Sequence, residues 1–387
     1  MSQVRVLQFV TPAGFYGAER WILALANNIN SENVICDLAV SEEGNGQDLT
    51  VAEVYPSSAG EVHFLPMSGR FDLRIVKRLV HVIKSRKIDI IHTHGYKSDI
   101  LGLLAARQAG IRCVSTPHGF SGKVGIKLAA FIRLGIFSLR YFDAVAPLSE
   151  DLLEDMRRFK VPEAKTQLVR NGVDLKEIDQ VNASFSSTIP ENEADERLIG
   201  FIGQMIPRKG IPDLIQMFDK LYSRDQTLRL ELIGDGRQRE ELEIIAAEKD
   251  SASAIKFLGF RSDRLERLSR FNVFIMTSSL EGIPRCMMEA MALGIPVVAY
   301  DIPGVDQLIE HGETGLLAPL GDLNALVECC QKILDNPDMA KELASTARAK
   351  IDRDYSARRM AEEYESLFLK LIGRASSSSP TIQLAEK

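Results

Sequence analysis

The chain has 387 residues, of which 45% are hydrophobic, 7% aromatic and 26% charged. Those fractions exclude whole-chain disorder, collagen and coiled coil, and the length fits two domains of about 100–200 residues each. A formal net charge of −6 argues against a general nucleic-acid binder, although Arg70–Arg140 holds fourteen Lys or Arg against only Asp72, Asp89 and Asp99.

Along the chain, short apolar runs alternate with longer segments of helical period, the signature of a parallel sheet covered by helices. In the first half, strands are predicted at Val4–Val10, Cys36–Ser41, Ile88–Thr93, Cys113–Thr116 and Ala144–Leu148, with a last short one at Gln167–Val169. Helices are predicted over Glu19–Asn28, Asp72–Ser85, Lys97–Ala109 and Glu150–Phe159. From Lys176 to Arg197 the pattern dissolves into Ser, Asn, Glu and Asp around Pro190, as in a linker. The alternation then restarts, with strands predicted at Leu198–Gly203, Leu228–Gly234, Ile255–Leu258, Val273–Thr277, Pro296–Tyr300 and Gly315–Leu317. Helices fill Pro212–Arg224, Gln238–Lys249, Asp263–Arg270, Pro284–Leu293, Asp306–Glu310 and Leu323–Leu334. A long helical stretch from Met339 to Leu371 breaks near Tyr355, and Ser376–Ser379 with Pro380 has the composition of a disordered tail.

The compartment follows from what is missing. Five cysteines (Cys36, Cys113, Cys286, Cys329, Cys330) without a C-x-x-C indicate neither a disulfide framework nor a zinc site. The opening Met-Ser-Gln-Val-Arg-Val-Leu does not read as a signal peptide. No apolar run approaches the ~18–20 residues that span a bilayer. Gly125–Leu139 comes nearest and is interrupted by Lys127 and Arg133. A cytoplasmic protein in a reducing environment is expected.

The most informative segment is Ser278-Ser279-Leu280-Glu281-Gly282-Ile283-Pro284-Arg285-Cys286-Met287-Met288-Glu289, continued by Ala290-Met291-Ala292-Leu293-Gly294-Ile295-Pro296-Val297. It follows a predicted strand, opens a helix near Pro284 and stops it at Gly294. Free amides at the start of that helix, over Gly282, Ile283 and Arg285 around Pro284, suit an anion or sugar hydroxyls, and a carboxylate accepts from two neighbouring hydroxyls. The pattern alone fits equally well an ordinary β-loop-α-β unit with two solvated glutamates. With its companions below, the E-x(7)-E spacing resembles the retaining glycosyltransferases of family 4, which have the GT-B fold. The likeness covers nearly the whole chain.

That resemblance implies two Rossmann-like doubly wound α/β domains facing a central cleft. Residues 1–175 would be the acceptor side, 176–197 a linker, 198–355 the nucleotide-sugar domain and 374–387 a disordered tail. A helix at about 356–372 is expected to pack back on the first domain. The resemblance assigns Glu289 to the nucleotide's ribose and Glu281 to hydroxyls of the transferred sugar. In Gly203-Gln204-Met205-Ile206-Pro207-Arg208-Lys209-Gly210, Lys209 matches the family's diphosphate lysine. Gln204 stands where the family has Arg, and Arg208 is the candidate to take over part of that charge. Pro12-Ala13-Gly14-Phe15-Tyr16-Gly17-Ala18-Glu19 resembles the family's glycine loop. It places Gly17 at the donor phosphate, and Gly14 and Tyr16 on the acceptor side. His118, in Thr116-Pro117-His118-Gly119-Phe120, resembles the histidine beside the transferred sugar.

Weaker motifs are set aside or demoted. His92 and His94 share a strand face, as a metal pair would, but no third ligand is evident. No metal is assigned, and His94 is placed on the acceptor side by resemblance. Gly234-Asp235-Gly236 lacks the third glycine of a dinucleotide fingerprint, and in this family such a turn lies near the donor nucleotide. Asp352-Arg353-Asp354 falls in the C-terminal helical region and reads as a solvated pair.

The expected activity is transfer of a hexose or hexose derivative from a nucleoside diphosphate sugar to a glycan or lipid-linked acceptor. Configuration is retained, and no cofactor is needed beyond the donor. Glu281 and His118 are the catalytic candidates. A GT-B epimerase or hydrolase, or a catalytically silent nucleotide-sugar sensor given Gln204, are the competing readings. Ser121–Arg140 interleaves Lys123, Lys127, Arg133 and Arg140 with apolar residues, as would a segment lying on an anionic membrane or a helix packed inward with solvated cations. The first reading makes the protein peripheral on the inner face of the plasma membrane.

Overall fold

The computed structural model describes residues 3–12, 14–15, 17–44, 46–69, 72–119, 126–185 and 197–373. The tail at 374–387, Tyr16 and Lys123 lie outside them. Two compact units divide the chain: Met1–Gly172 with Ala357–Lys387, and Val173–Ser356.

The first unit runs β1 (Val4–Val10), α1 (Gly17–Asn28), β2 (Val34–Glu42), α2 (Thr50–Glu53), β3 (Val62–Pro66) and α3 (Arg74–Ser85). It continues with β4 (Ile90–Thr93), α4 (Tyr96–Ala109), β5 (Arg112–Ser115), α5 (Ile126–Ser138), β6 (Ala144–Val145) and α6 (Glu150–Arg158). Every pairing is parallel, in the order β3-β2-β1-β4-β5-β6. Val4, Val6, Leu7 and Phe9 on β1 are wholly buried, because helices cover both faces of the sheet. Gln8 interrupts that run and is equally buried.

The second unit opens with α7 (Leu175–Phe185), β7 (Arg197–Ile202), α8 (Ile211–Tyr222), β8 (Leu228–Ile233), α9 (Arg239–Ala247) and β9 (Ile255–Gly259). Then come α10 (Arg264–Leu268), β10 (Val273–Met276), α11 (Arg285–Ala292), β11 (Val297–Asp301), β12 (Leu316–Pro319), α12 (Leu323–Asp335) and α13 (Pro337–Asp354). The sheet order is β12-β11-β10-β7-β8-β9, all parallel. In each unit the winding reverses between the first and fourth strands, which are neighbours. Crevices at the carboxyl ends of such strands are where open α/β sheets hold ligands. The fold is two Rossmann-like α/β units.

After Tyr355 the chain returns to the first unit as α14 (Ala357–Leu371), whose Met360, Tyr364, Leu367 and Phe368 join the core beneath β1 and α1. Tyr364 Oη lies 2.7 Å from Thr116 Oγ1, which lies 2.7 Å from His92 Nε2.

Three expectations are corrected and one strand is added. Lys176 to Arg197 is not loop throughout, since α7 occupies its first half. Among its described side chains only Ile178 and Val181 are buried, a stripe too thin to read as helical period. Residues 62–66, where the sequence pattern predicts no strand, form the edge strand β3, and its closing Pro66 needs no ladder donor. Gln167–Val169 makes no strand, only the single bridge between Val145 and Thr166. Asp306–Glu310 is a run of turns rather than a helix.

The chain has one tryptophan, Trp21, packed against Tyr364 with ring centroids 5.1 Å apart. Its fluorescence therefore reports unfolding of the first unit. Tyr364→Phe removes the hydroxyl from Thr116 and is expected to cost about 1–2 kcal/mol. A urea midpoint for the Trp21 signal equal to that of the parent chain would show that the contact contributes nothing.

Candidate functional site

In the second unit the loops after β7 and β10 meet. Lys209 Nζ donates to Glu281 Oε1 at 2.5 Å, and both side chains are 8% exposed. Arg208, more open, donates from Nη1 to Glu281 Oε2 at 3.1 Å and to the Leu280 carbonyl at 2.9 Å. Burial pushes the Glu281 carboxyl up, but Lys209 and Arg208 outweigh it and hold the group below its ordinary 4.5. Backbone contacts fix the same two loops: the Ser279 amide donates to the Arg208 carbonyl at 2.8 Å, and Thr277 Oγ1 to the Lys209 carbonyl at 3.0 Å.

Glycine is obligatory where these segments touch. Gly210 has φ +61°, and a Cβ there would stand 2.1 Å from the Thr277 carbonyl oxygen. At Gly234, φ +129°, it would meet the Gly203 carbonyl at 2.0 Å, and at Gly304 the Gly282 carbonyl at 1.8 Å. The turn at Gly234 therefore seats against the loop that carries Lys209.

One and a half turns into α11, Glu289 is 2% exposed. Arg264 Nη2 and Arg285 Nε both donate to its Oε1 at 2.9 Å. Arg264 Nε and Arg285 Nη1 are buried without a hydrogen-bond partner. Gly282 is exposed, Ile283 half-buried and Pro284 buried at the head of α11. Gln204, at the position expected to be Arg, is exposed.

The first unit gathers its own cluster at the carboxyl ends of β1, β4 and β5. His94 Nε2 lies 2.7 Å from Gln8 Oε1, and His94 Nδ1 lies 3.2 Å from His118 Nε2. Trp21 sits edge-on to His92 and His118, at 5.7 and 5.4 Å between centroids. Burial pushes His118 down to about 3, and burial with the adjacent His118 does the same to His92. His94 is also held well below its ordinary value by burial. Burial thus favours the neutral form of all three rings. Gly14 is buried in the loop after β1, and Gly17 is exposed at the first position of α1.

Within the second unit the structure thus brings Arg208 and Lys209 onto Glu281, and places Gly234, Gly282 to Arg285 and Glu289 around the same loops. Within the first it joins His94 to His118. Among the described residues no group of three His, Cys, Asp or Glu is placed to hold a metal ion. Sequence reasoning missed Gln8, Trp21, Tyr364 and Arg264. Gln8 carried a signal, being the one amide inside the apolar run Val4–Val10. Arg264 carried none, since it is one of four arginines between Arg261 and Arg270.

Two family models match: "Glycosyltransferase Family 4" over residues 15–177 and "Glycosyl transferases group 1" over 184–350. An N-acetyl-alpha-D-glucosaminyl L-malate synthase of Bacillus anthracis is 23% identical, covering 78% of this chain and 80% of the relative. A UDP-Gal:alpha-D-GlcNAc-diphosphoundecaprenol alpha-1,3-galactosyltransferase of Escherichia coli is 25% identical over the same shares. Among solved structures, Anabaena HepE in complex with UDP superposes with a TM-score of 0.78 at 19% identity, covering 95% of this chain and 100% of HepE. Paired Rossmann-like units with these loops define a GT-B protein. The chain belongs to the group 1 glycosyl transferases of family 4.

Because Glu281 has a lowered pKa in the folded chain, its contribution to stability is fully present above about 4.5 and is lost as pH falls through the folded value. Lys209→Met removes the closer cation and is expected to raise the Glu281 pKa and cost about 2–3 kcal/mol. Calorimetric melting and carbon-13 titration of Glu281 check this. An unmoved carboxyl titration would contradict the electrostatic account.

Proposed function

We propose that the chain transfers a hexose or hexose derivative from a nucleoside diphosphate sugar to a glycan or lipid-linked acceptor, retaining the anomeric configuration. The observation that carries this reading is the convergence of Lys209 and Arg208 on Glu281 at a switch point of the sheet. Two cations there can meet the charge that grows on a leaving diphosphate, while the carboxylate accepts from sugar hydroxyls. The relatives named above support the donor class, since one is a UDP-galactose-dependent transferase and HepE holds UDP.

In this reading the bond between the anomeric carbon and the diphosphate oxygen breaks as the acceptor oxygen attacks from the same face. The acceptor's proton passes to the departing phosphate oxygen. No side-chain nucleophile, metal or cofactor is required by the drawn step. Lys209 and Arg208 stabilise the diphosphate, helped by the free amides at the head of α11. Glu281 orients the sugar, and Glu289 takes the ribose hydroxyls, sharing its carboxylate with Arg264 and Arg285; His118 is the first unit's own candidate for a sugar hydroxyl. Gly234 holds the turn after β8 against the Lys209 loop on the nucleotide side, and Gly14 and His94 border the acceptor.

A membrane-bound acceptor is favoured by one surface of the first unit. Leu134 and Phe137 of α5 are about half exposed, as is nearby Tyr141, and the Arg140 guanidinium lies 5.2 Å over the Phe137 ring. Apolar side chains among cations suit the headgroup region of an anionic leaflet. No helix among the described residues is long and apolar enough to cross a membrane.

Two measurements test the reading. Purified chain with a panel of nucleotide sugars and a lipid extract should yield a product whose anomeric proton coupling matches that of the donor; inversion, or binding with no turnover over hours, would overturn it. Glu289→Ala should weaken donor binding by about tenfold or more, the loss of at least one charge-assisted hydrogen bond. Unchanged affinity would refute the ribose assignment. For the membrane surface, co-sedimentation with anionic vesicles should fall with salt and fall further in a Lys123→Glu, Lys127→Glu chain. Insensitivity to both would leave α5 a solvated face.

A further inference from the structure

Gln8 stands in the middle of β1, 1% exposed, where the rest of the strand is apolar. A buried amide in such a place must be answered by its neighbours. Its oxygen faces His94 Nε2 at 2.7 Å, and its nitrogen faces the Cys36 sulfur at 3.8 Å. His94 Nδ1 in turn faces His118 Nε2 at 3.2 Å. We propose that Gln8 is a positioning residue that sets, through His94, which nitrogen of His118 carries the proton.

Each neutral imidazole has one N–H and one lone pair. An amide oxygen only accepts, so His94 Nε2–H must donate to Gln8. His94 Nδ1 then holds the lone pair, and His118 Nε2–H must donate to it. That leaves His118 Nδ1 as an acceptor to which no described residue hydrogen-bonds. The opposite arrangement requires the Gln8 amide to be turned over and both rings to hold the proton on Nδ1, the less favoured form of neutral histidine. Burial keeps the Cys36 thiol protonated, pushed up to about 12, so its sulfur can face the amide nitrogen as a weak neutral acceptor.

The consequence selects a ligand chemistry, and it rests on the transfer reading above. An acceptor nitrogen at His118 matches a sugar hydroxyl, whose O–H donates. A phosphate oxygen, which only accepts at neutral pH, finds no partner there. His118 is then an orienting group for the sugar and not a proton donor to the leaving group.

The proton pattern is read without any substrate. Nitrogen-15 NMR of the full-length chain labelled at histidine should show His118 with a pyridine-type Nδ1 and a pyrrole-type Nε2, unchanged from about pH 6 to 8. The reverse pattern, or an even mixture, overturns the proposal. Gln8→Met should turn the single pattern into a mixture of tautomers and lower transfer kcat/KM about tenfold, as for one lost hydrogen bond. An unmixed pattern in that variant would show that Gln8 sets nothing. Should Gln8→Met fail to fold by Trp21 fluorescence, His94→Phe removes the intermediary and is expected to release His118 in the same way. The predicted pattern in a chain that transfers no sugar would sink the proposed function and leave the relay standing.

Discussion

Burying a lysine and a glutamate together is expensive, because both must leave water before they attract one another. Lys209 and Glu281 are held in contact because β7 and β10, which carry their loops, are neighbours at the point where the sheet's winding reverses. Arg208 supplies a second donor to the same carboxylate, and two backbone-directed bonds lock the loops around it. The result is a preorganised patch of charge on a rigid scaffold, with loop positions determined by strands rather than by flexible chain. A bound diphosphate would compete with Glu281 for cations already in place and would not have to gather them.

The glycines serve the same constraint. Gly210, Gly234 and Gly304 each stand where a Cβ would fall on a carbonyl oxygen of an adjoining loop. Their positive φ angles let three turns close on the Lys209 and Glu281 segments. Nothing comparable is needed at Gly17 or Gly282, where a Cβ would meet open space. Packing does not demand glycine at those two positions, whereas the packed glycines are scaffold.

Much of this was legible in the sequence, for identifiable reasons. Strands such as β1 and β8 are continuous apolar runs because both sheet faces are covered, and their ends fell within a residue of prediction. The edge strand β3 escaped because its burial is partial, and α7 because a helix so rich in Lys, Glu, Asp, Gln and Asn resembles a linker. Lys209, Glu281 and Glu289 were found by spacing, which encodes one loop or one helix at a time. Arg264 on Glu289, and Tyr364 beneath His92, are joined across elements 25 and more than 200 residues apart, where spacing carries no information. The charge imbalance of Arg70–Arg140 pointed to the first unit, yet only the structure showed Phe137 and Leu134 exposed among those cations.

The account turns on the loops after β7 and β10 being the seat of a nucleoside diphosphate. A crystal structure of the chain soaked with UDP tests that most directly. The predicted result has phosphate oxygens within hydrogen-bond distance of Lys209 and Arg208, and the ribose hydroxyls on the Glu289 carboxylate. A nucleotide bound elsewhere, with Lys209 still closed on Glu281 and Glu289 still held by Arg264 and Arg285, would contradict it.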